Sequence, residues 1–291
     1  MTEHIMGNLL IIGGAEDKEK DCKILKYYYR EAGEKRSRIC VITAASEDGE
    51  QAGIIYRDLF MKFGCSNIDV IAIQDRASAN VGENIEKIVQ ASGIFFTGGD
   101  QLRITAMIGG TAMGMALQHL YEQGVIIGGT SAGASVMSDT MIIGGQGDTP
   151  GEDLIQMAPG LGLLKGIIID QHFAQRGRIG RLMTAVSLNP YFLGIGIDED
   201  TSVHIRNDGN FRVIGRGTVL ITDASCAVIS NVDDLNNGKP LALAPVKVHI
   251  LSEGWRFNIA ERTSFLSEAE GFSMNHSELS KKEMKQEATS S

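Results

Sequence analysis

Cysteine is scarce: Cys22, Cys40, Cys65 and Cys226 are scattered over 291 residues with no Cys-x-x-Cys pair. That spacing argues against a disulfide framework and for small buried thiols in a reducing compartment. No cluster of His, Cys and carboxylates stands at ligand spacing, so the sequence asks for no metal and no cofactor. No apolar run approaches the length that crosses a bilayer, which leaves membranes out as partners. The opening Met-Thr-Glu-His-Ile-Met-Gly lacks a basic segment followed by a long apolar core; no secretory signal is read, and a cytoplasmic location is expected. Basic charge is in deficit as well. Lys and Arg number 27 against 36 Asp and Glu, and the net −9 argues against a general nucleic-acid binder.

What is present is an ordinary globular composition, 43% apolar and 22% charged. The length allows one large α/β domain or two small ones. Apolar runs at 9–12, 39–43, 68–73, 94–97 and 125–128 read as buried strands, and segments with helical apolar spacing lie between them. Alternating strands and helices imply βαβ units and a parallel sheet covered by helices on both faces. Two further apolar runs, 163–170 and 193–198, flank a basic helix-like stretch over 175–187. Short β-like segments near 202–205, 211–214, 219–222 and 246–251 then predict an antiparallel extension of the same sheet. Nothing between these parts reads as a linker, so one domain is expected over 1–272, followed by a polar, charged and disordered tail over 273–291.

The chemistry gathers around Gly129-Thr130-Ser131-Ala132-Gly133-Ala134, directly after the strand at 125–128. A strand that ends in Gly-x-Ser-x-Gly and turns at once into a helix forms a nucleophile elbow, which exposes the serine hydroxyl at the sheet edge. In a chain with 35 glycines this motif needs partners before it carries weight. A serine nucleophile requires a base, and of the six histidines only His172 follows the carboxyl end of a strongly apolar run. Open α/β sheets place their active sites at such ends. Asp198-Glu199-Asp200 ends the next run, and spacing does not choose which of the three acids would orient the base. Thr97-Gly98-Gly99-Asp100-Gln101 follows the strand at 94–97; its glycines free a backbone amide to face an oxyanion, and Gln101 would reach substrate from the next helix. Arg176, Arg178 and Arg181 follow His172 closely, and guanidinium groups beside a base suit bidentate capture of carboxylates.

These blocks resemble the cyanophycinases, serine peptidases of the peptidase E-like family S51. The resemblance rests on Gly-Gly-Ala-Glu-Asp at 13–17, Phe-Thr-Gly-Gly-Asp-Gln at 96–101, Gly-Thr-Ser-Ala-Gly-Ala at 129–134, Asp-Gln-His-Phe-x-x-Arg-x-Arg-x-x-Arg-Leu at 170–182 and Gly-Ile-Asp-Glu-Asp-Thr at 196–201. It implies a three-layer α/β fold related to class I glutamine amidotransferases, with a mostly parallel central sheet and a homodimer. Carried over by position, Ser131 is the nucleophile, His172 the base and Glu199 the orienting acid. Gln101, Asp170, Gln171, Arg176, Arg178 and Arg181 would bind substrate. The implied substrate is cyanophycin, a poly-aspartate backbone with an arginine on each side-chain carboxyl, cleaved to β-aspartyl-arginine dipeptides.

On this reading the amides of Gly99 and Ala132 donate to the oxyanion, each worth on the order of 3 kcal/mol of barrier. Arginines suit the substrate's carboxyl groups, and Asp170 or another acid would meet its guanidinium. Three alternatives are weaker. An Asp-X dipeptidase on the same scaffold fits less well with the Asp-Gln-His-Phe block. An α/β-hydrolase esterase orders its triad serine, acid, histidine, whereas the order here is serine, histidine, acid. A nucleotide-binding role for Ile11-Ile12-Gly13-Gly14-Ala15 lacks the second fingerprint spacing.

Overall fold

Strand β1 (Asn8–Ile12) shows how the core is laid down. Leu9 and Ile11 enter one buried cluster and Leu10 and Ile12 another, so the strand is covered on both faces, as parallel strands are. The fold is taken from a computed structural model, which describes residues 7–46, 48–145, 155–237 and 240–266. The predicted tail over 273–291 lies outside the described residues.

The other parallel strands are β2 (Arg38–Ile42), β3 (Asn67–Ile71), β4 (Gly93–Phe96) and β5 (Ile126–Thr130). They pair with β1 in the spatial order β3-β2-β4-β5-β1. Helices α1 (Lys23–Glu31) and α2 (Gly49–Phe63) supply Ile24, Leu25, Tyr28, Tyr56 and Phe60 to the cluster on one face. Helices α3 (Gly82–Val89), α4 (Gln101–Ile108), α5 (Ala112–Glu122) and the short α6 (Ala132–Ser135) supply the other. This half is the expected layered α/β arrangement.

Beyond α6 the chain forms the hairpin β6 (Thr140–Gly144) and β7 (Gln156–Pro159), then β8 (Ile167–Gln171), α7 (Ile179–Leu188), β9 (Leu193–Ile197), β10 (Thr201–Ile205), β11 (Asn210–Gly215) and β12 (Val219–Asp223). Two-residue β13 (Ile229–Ser230) and β14 (Leu243–Ala244) pair with each other, and β15 (Lys247–Leu251), β16 (Trp255–Asn258) and β17 (Thr263–Leu266) follow. Strands β10, β11, β16 and β17 extend the central sheet from β1 with antiparallel pairing, giving nine strands. The antiparallel extension is therefore present.

Three details differ from the sequence expectation. The runs at 163–170, 193–198, 219–222 and 246–251 do not join the central sheet; they build a second, four-stranded sheet in the order β15-β12-β9-β8. Leu193, Ile195 and Ile197 of β9 share one cluster with Val203, Ile205 and Phe211 of the central sheet. Apolar alternation reports burial, and a strand buried against a second sheet reads the same as one buried against a helix. The other face of β9 is opened by glycine: a Cβ at Gly196 would overlap the ring of Phe173, the residue after His172. The basic stretch at 175–187 is also interrupted, because Gly177 at φ 59° separates a 3-10 turn at Ala174–Arg176 from α7. Of the cysteines, Cys22, Cys40 and Cys65 are buried thiols, while Cys226 is exposed rather than buried.

Candidate active site

Ser131 sits where β5 ends and α6 begins, at φ 54° and ψ −111°. A non-glycine residue at positive φ is strained by about 1–3 kcal/mol and persists only when its surroundings hold it. Its N–H donates to the carbonyl of Ile12 (3.1 Å), and its own carbonyl accepts from Ala134 and Ser135. His172, one residue past β8, is likewise at positive φ (47°), and its N–H donates to the carbonyl of Gly13 (2.7 Å). Two successive carbonyls at the end of β1 thus fix the backbones of Ser131 and His172, one from each sheet.

The side chains meet through one imidazole. His172 Nε2 lies 3.0 Å from Ser131 Oγ, and His172 Nδ1 lies 2.6 Å from Glu199 Oε1. An ionised carboxylate only accepts, so Nδ1 carries the proton and Nε2 is left to accept from the serine hydroxyl. Gln171 Oε1 stands 3.4 Å from the same hydroxyl. Gly14, at φ 100°, leaves the room the imidazole occupies; a Cβ there would overlap Cε1 and Nε2.

The three acids after β9 have separate work. Glu199 alone reaches His172, and its N–H donates to Gln175 Oε1 (3.0 Å). Asp198 accepts from the N–H of Ala174 (3.0 Å) and from the N–H and hydroxyl of Thr218 (2.9 and 2.8 Å). Asp200 accepts from the N–H of Asp17 (2.9 Å) and pairs with Arg216. Asp17 in turn accepts from the backbone N–H groups of Lys20, Cys22 and Glu19, which hold its carboxyl well below the usual carboxylate range.

The Gly98-Gly99 turn lies against the serine, with a Cβ at Gly98 falling 3.4 Å from Ser131 Cβ. Gly99 is at φ 140°, and Asp100 caps α4 by accepting from the N–H of Leu102 (2.8 Å). The N–H of Ala132 opens α6, where a helix's first amides lack intrahelical acceptors. Gln101 donates from Nε2 to the carbonyl of Ile142 (3.0 Å), which ties α4 to the β6–β7 hairpin.

Asp170 is fully buried and grips two of the three arginines. Arg181 Nε donates to Asp170 Oδ2 (2.6 Å) and its Nη2 to Oδ1, while Arg178 Nη1 pairs with Oδ1 (3.2 Å) and donates to the carbonyl of Gln171. Burial pulls the Arg178 guanidinium down to about 10; Asp170 opposes that shift, and the neighbouring Arg181 and Arg176 add to it. It stays charged at neutral pH. Arg176 is exposed, and its guanidinium makes no ion pair among the described residues. Also among the described residues, no group of His, Cys and carboxylates is arranged to hold a metal ion, and no helix is long and apolar enough to cross a membrane.

Residues 9–213 match Peptidase family S51. This chain belongs to peptidase family S51. The S51 peptidase is 39% identical to a cyanophycinase of Synechococcus elongatus over 255 residues, covering 87% of this chain and 79% of the relative. Identity to a cyanophycinase of Trichormus variabilis is 38% over 257 residues, covering 88% and 86%. Among solved structures, a peptidase from an acI-B1 Actinobacterium shares the fold with a TM-score of 0.66 at 20% identity, covering 90% of this chain and 97% of the other. A peptidase E protein from Listeria monocytogenes matches at a TM-score of 0.52 and 14% identity, covering 73% and 100%.

Several residues around the S51 site have partners that the sequence does not announce, although Glu16 and Thr130 lie within blocks that carry the resemblance. Thr130, Tyr56 and Glu16 form a buried hydrogen-bonded group behind the elbow, with Glu16 Oε1 accepting from Tyr56 and Oε2 from Thr130. The Gly-Gly-Ala-Glu-Asp block at 13–17 reads as a fingerprint. Its physical use, as the contact point of both sheets, shows only in three dimensions.

Proposed function

We propose that this serine-type peptidase hydrolyses cyanophycin, releasing β-aspartyl-arginine dipeptides, and that it works in the cytoplasm as a homodimer. The observation that carries the reading is the single imidazole of His172, within hydrogen-bond reach of both Ser131 and Glu199. The substrate follows from the cyanophycinases to which the chain is similar over most of its length.

Ser131 Oγ attacks the carbonyl carbon of the scissile aspartyl peptide bond while His172 Nε2 takes its proton. Glu199 holds the imidazole in its reactive tautomer and stabilises the imidazolium. The amides of Gly99 and Ala132 donate to the oxyanion of the tetrahedral intermediate. His172 then protonates the leaving amine, the C–N bond breaks, and water, deprotonated by His172, resolves the acyl-enzyme to a free carboxylate and Ser131. Gln101, Asp170, Gln171, Arg176, Arg178 and Arg181 form the substrate pocket in this reading. Arg176, exposed and without an ion pair among the described residues, is the arginine offered to a substrate carboxylate. Asp170 has both oxygens engaged, so the substrate guanidinium is left to another acid at the rim.

Mass spectrometry of soluble products from purified cyanophycin tests the reading, with Asp-X dipeptides assayed in parallel. β-Aspartyl-arginine is expected from the native protein and none from Ser131→Ala. Hydrolysis of Asp-X dipeptides with no release from cyanophycin would favour the dipeptidase reading instead. Sedimentation of the purified protein tests the homodimer.

A further inference from the structure

We infer that Glu16 is a positioning residue for the nucleophile, acting on Ser131 through the side chain of Thr130. The inference rests on the reading of Ser131 as nucleophile.

Glu16 lies in the turn after β1 and is 3% exposed. A buried carboxylate is costly unless its oxygens are satisfied. Here the Tyr56 hydroxyl donates to Oε1, the Thr130 hydroxyl donates to Oε2, and the Lys18 ammonium stands 2.8 Å from Oε1 at the solvent side. The carboxylate therefore joins three elements: the turn after β1, the end of β5, and α2. Among the described residues it makes no hydrogen bond or ion pair with Ser131, His172 or Glu199, so it stands outside the proton transfer. Thr130 is the residue immediately before Ser131, whose backbone is held at φ 54°.

A backbone that prefers another conformation needs an anchor on each side of the strained residue. The Ile12 carbonyl anchors the Ser131 N–H itself, and α6 anchors the chain beyond. The Thr130–Glu16 bond anchors the side chain one residue before. The same turn holds the opposing partner: the Gly13 carbonyl accepts from the His172 N–H, and the Gly14 carbonyl accepts from the N–H of Asp200 next to Glu199. Glu16 thus references the serine to the turn that places the histidine and the acid. Loss of the carboxylate frees the elbow to rotate Oγ away from Nε2. A misplacement of about 1 Å is enough to cost about a hundredfold in rate.

The test uses Glu16→Gln, Thr130→Val and the double variant. Thr130→Val keeps the β-branched shape that suits the end of a strand and removes only the donor. The readout is the second-order rate of inactivation by a fluorophosphonate, which reports serine reactivity and needs no cyanophycin, together with kcat and KM on cyanophycin and the melting temperature. Each single variant is expected to lose about tenfold or more in both inactivation rate and kcat, with KM within about twofold. The double variant is expected to fall by less than the product of the two, since one bond is removed in both. Inactivation rates within about twofold of the native protein, whatever the melting temperatures, would overturn the positioning role. Should Glu16→Gln fail to fold, Thr130→Val alone decides between these outcomes. A native protein that the probe does not label at Ser131 would overturn the nucleophile reading, and this inference with it. Labelling at Ser131 without cyanophycin hydrolysis would overturn only the substrate.

Discussion

The N–H of His172 donates to the carbonyl of Gly13 at 2.7 Å, and the N–H of Ser131 donates to the preceding carbonyl, Ile12, at 3.1 Å. One dipeptide at the end of β1 therefore sets the distance between two residues 41 apart in the chain, on strands of different sheets. The Ser131–His172 pair is placed by backbone as much as by side chain, which shapes what substitutions around it should do.

Gly14→Ala should be far more damaging to rate than to fold. The added methyl overlaps the imidazole carbon and nitrogen that face Ser131, and the positive φ adds strain of about 1–3 kcal/mol. A fall in kcat of about a hundredfold or more is expected while circular dichroism stays native-like. Near-native kcat would mean that the imidazole does not work from this position.

Ser131→Ala should abolish β-aspartyl-arginine release, and Glu199→Gln should lower kcat by about three to four orders of magnitude, the scale for loss of the orienting acid in serine triads. Neither should shift the melting temperature by more than a few degrees. Substitution of Asp198 should behave differently: its carboxylate ties the Ala174 and Thr218 backbones together, and its loss should show first as instability. Thermal melts run beside the assay separate the two patterns.

The arginines should divide. Arg181→Ala strands a fully buried Asp170 carboxylate with one partner removed, and about 3–5 kcal/mol of stability should go with it. Arg176→Ala removes an exposed guanidinium that has no ion pair among the described residues; stability should stay within about 0.5 kcal/mol, and KM for cyanophycin should rise about tenfold. Urea denaturation and steady-state kinetics on both variants check the division. An Arg176→Ala enzyme with native KM would move the carboxylate contact elsewhere.

Stability should fall with acid in a window set by His204. Burial, reinforced by Arg206, pulls this imidazole down to about 4 from its ordinary 6.5. It stays neutral between the Tyr27 hydroxyl, which donates to Nδ1, and Asn8 Oδ1. A group whose protonated form is disfavoured in the fold takes up protons preferentially when unfolded, so its contribution is complete above pH 6.5 and is lost as pH falls toward 4. The loss is on the order of 3 kcal/mol. Unfolding free energies measured from pH 7.5 down to pH 4.5 should show a shallower slope in His204→Gln than in the native protein; equal slopes would assign the acid sensitivity to other groups.

The rim holding Ser131, His172 and the acids after β9 was legible in the sequence because each stands at the end of an apolar strand run, where a sheet exposes its chemistry. Local pattern could not say which acid faces the imidazole, since all three share one turn and differ only in where the fold aims them. The second sheet was hidden for a related reason: alternation records that Leu193, Ile195 and Ile197 are buried, not what buries them. Asp170, Arg178 and Arg181 read as charges near a base, and only three-dimensional proximity reveals that two of the arginines spend their charge on the aspartate. Glu16 and Thr130 are 114 residues apart, and nothing in either neighbourhood announces the other.

Ser131 at the end of a strand of one sheet and His172 past the end of a strand of the other come within 3.0 Å only after the two sheets have docked. The nascent chain carries the complete elbow once Ser131 has been made, yet it holds no assembled hydrolase until β8, β9 and the turn after β1 have met. Any chemistry that needs Ser131 and His172 together is thereby deferred to the finished molecule.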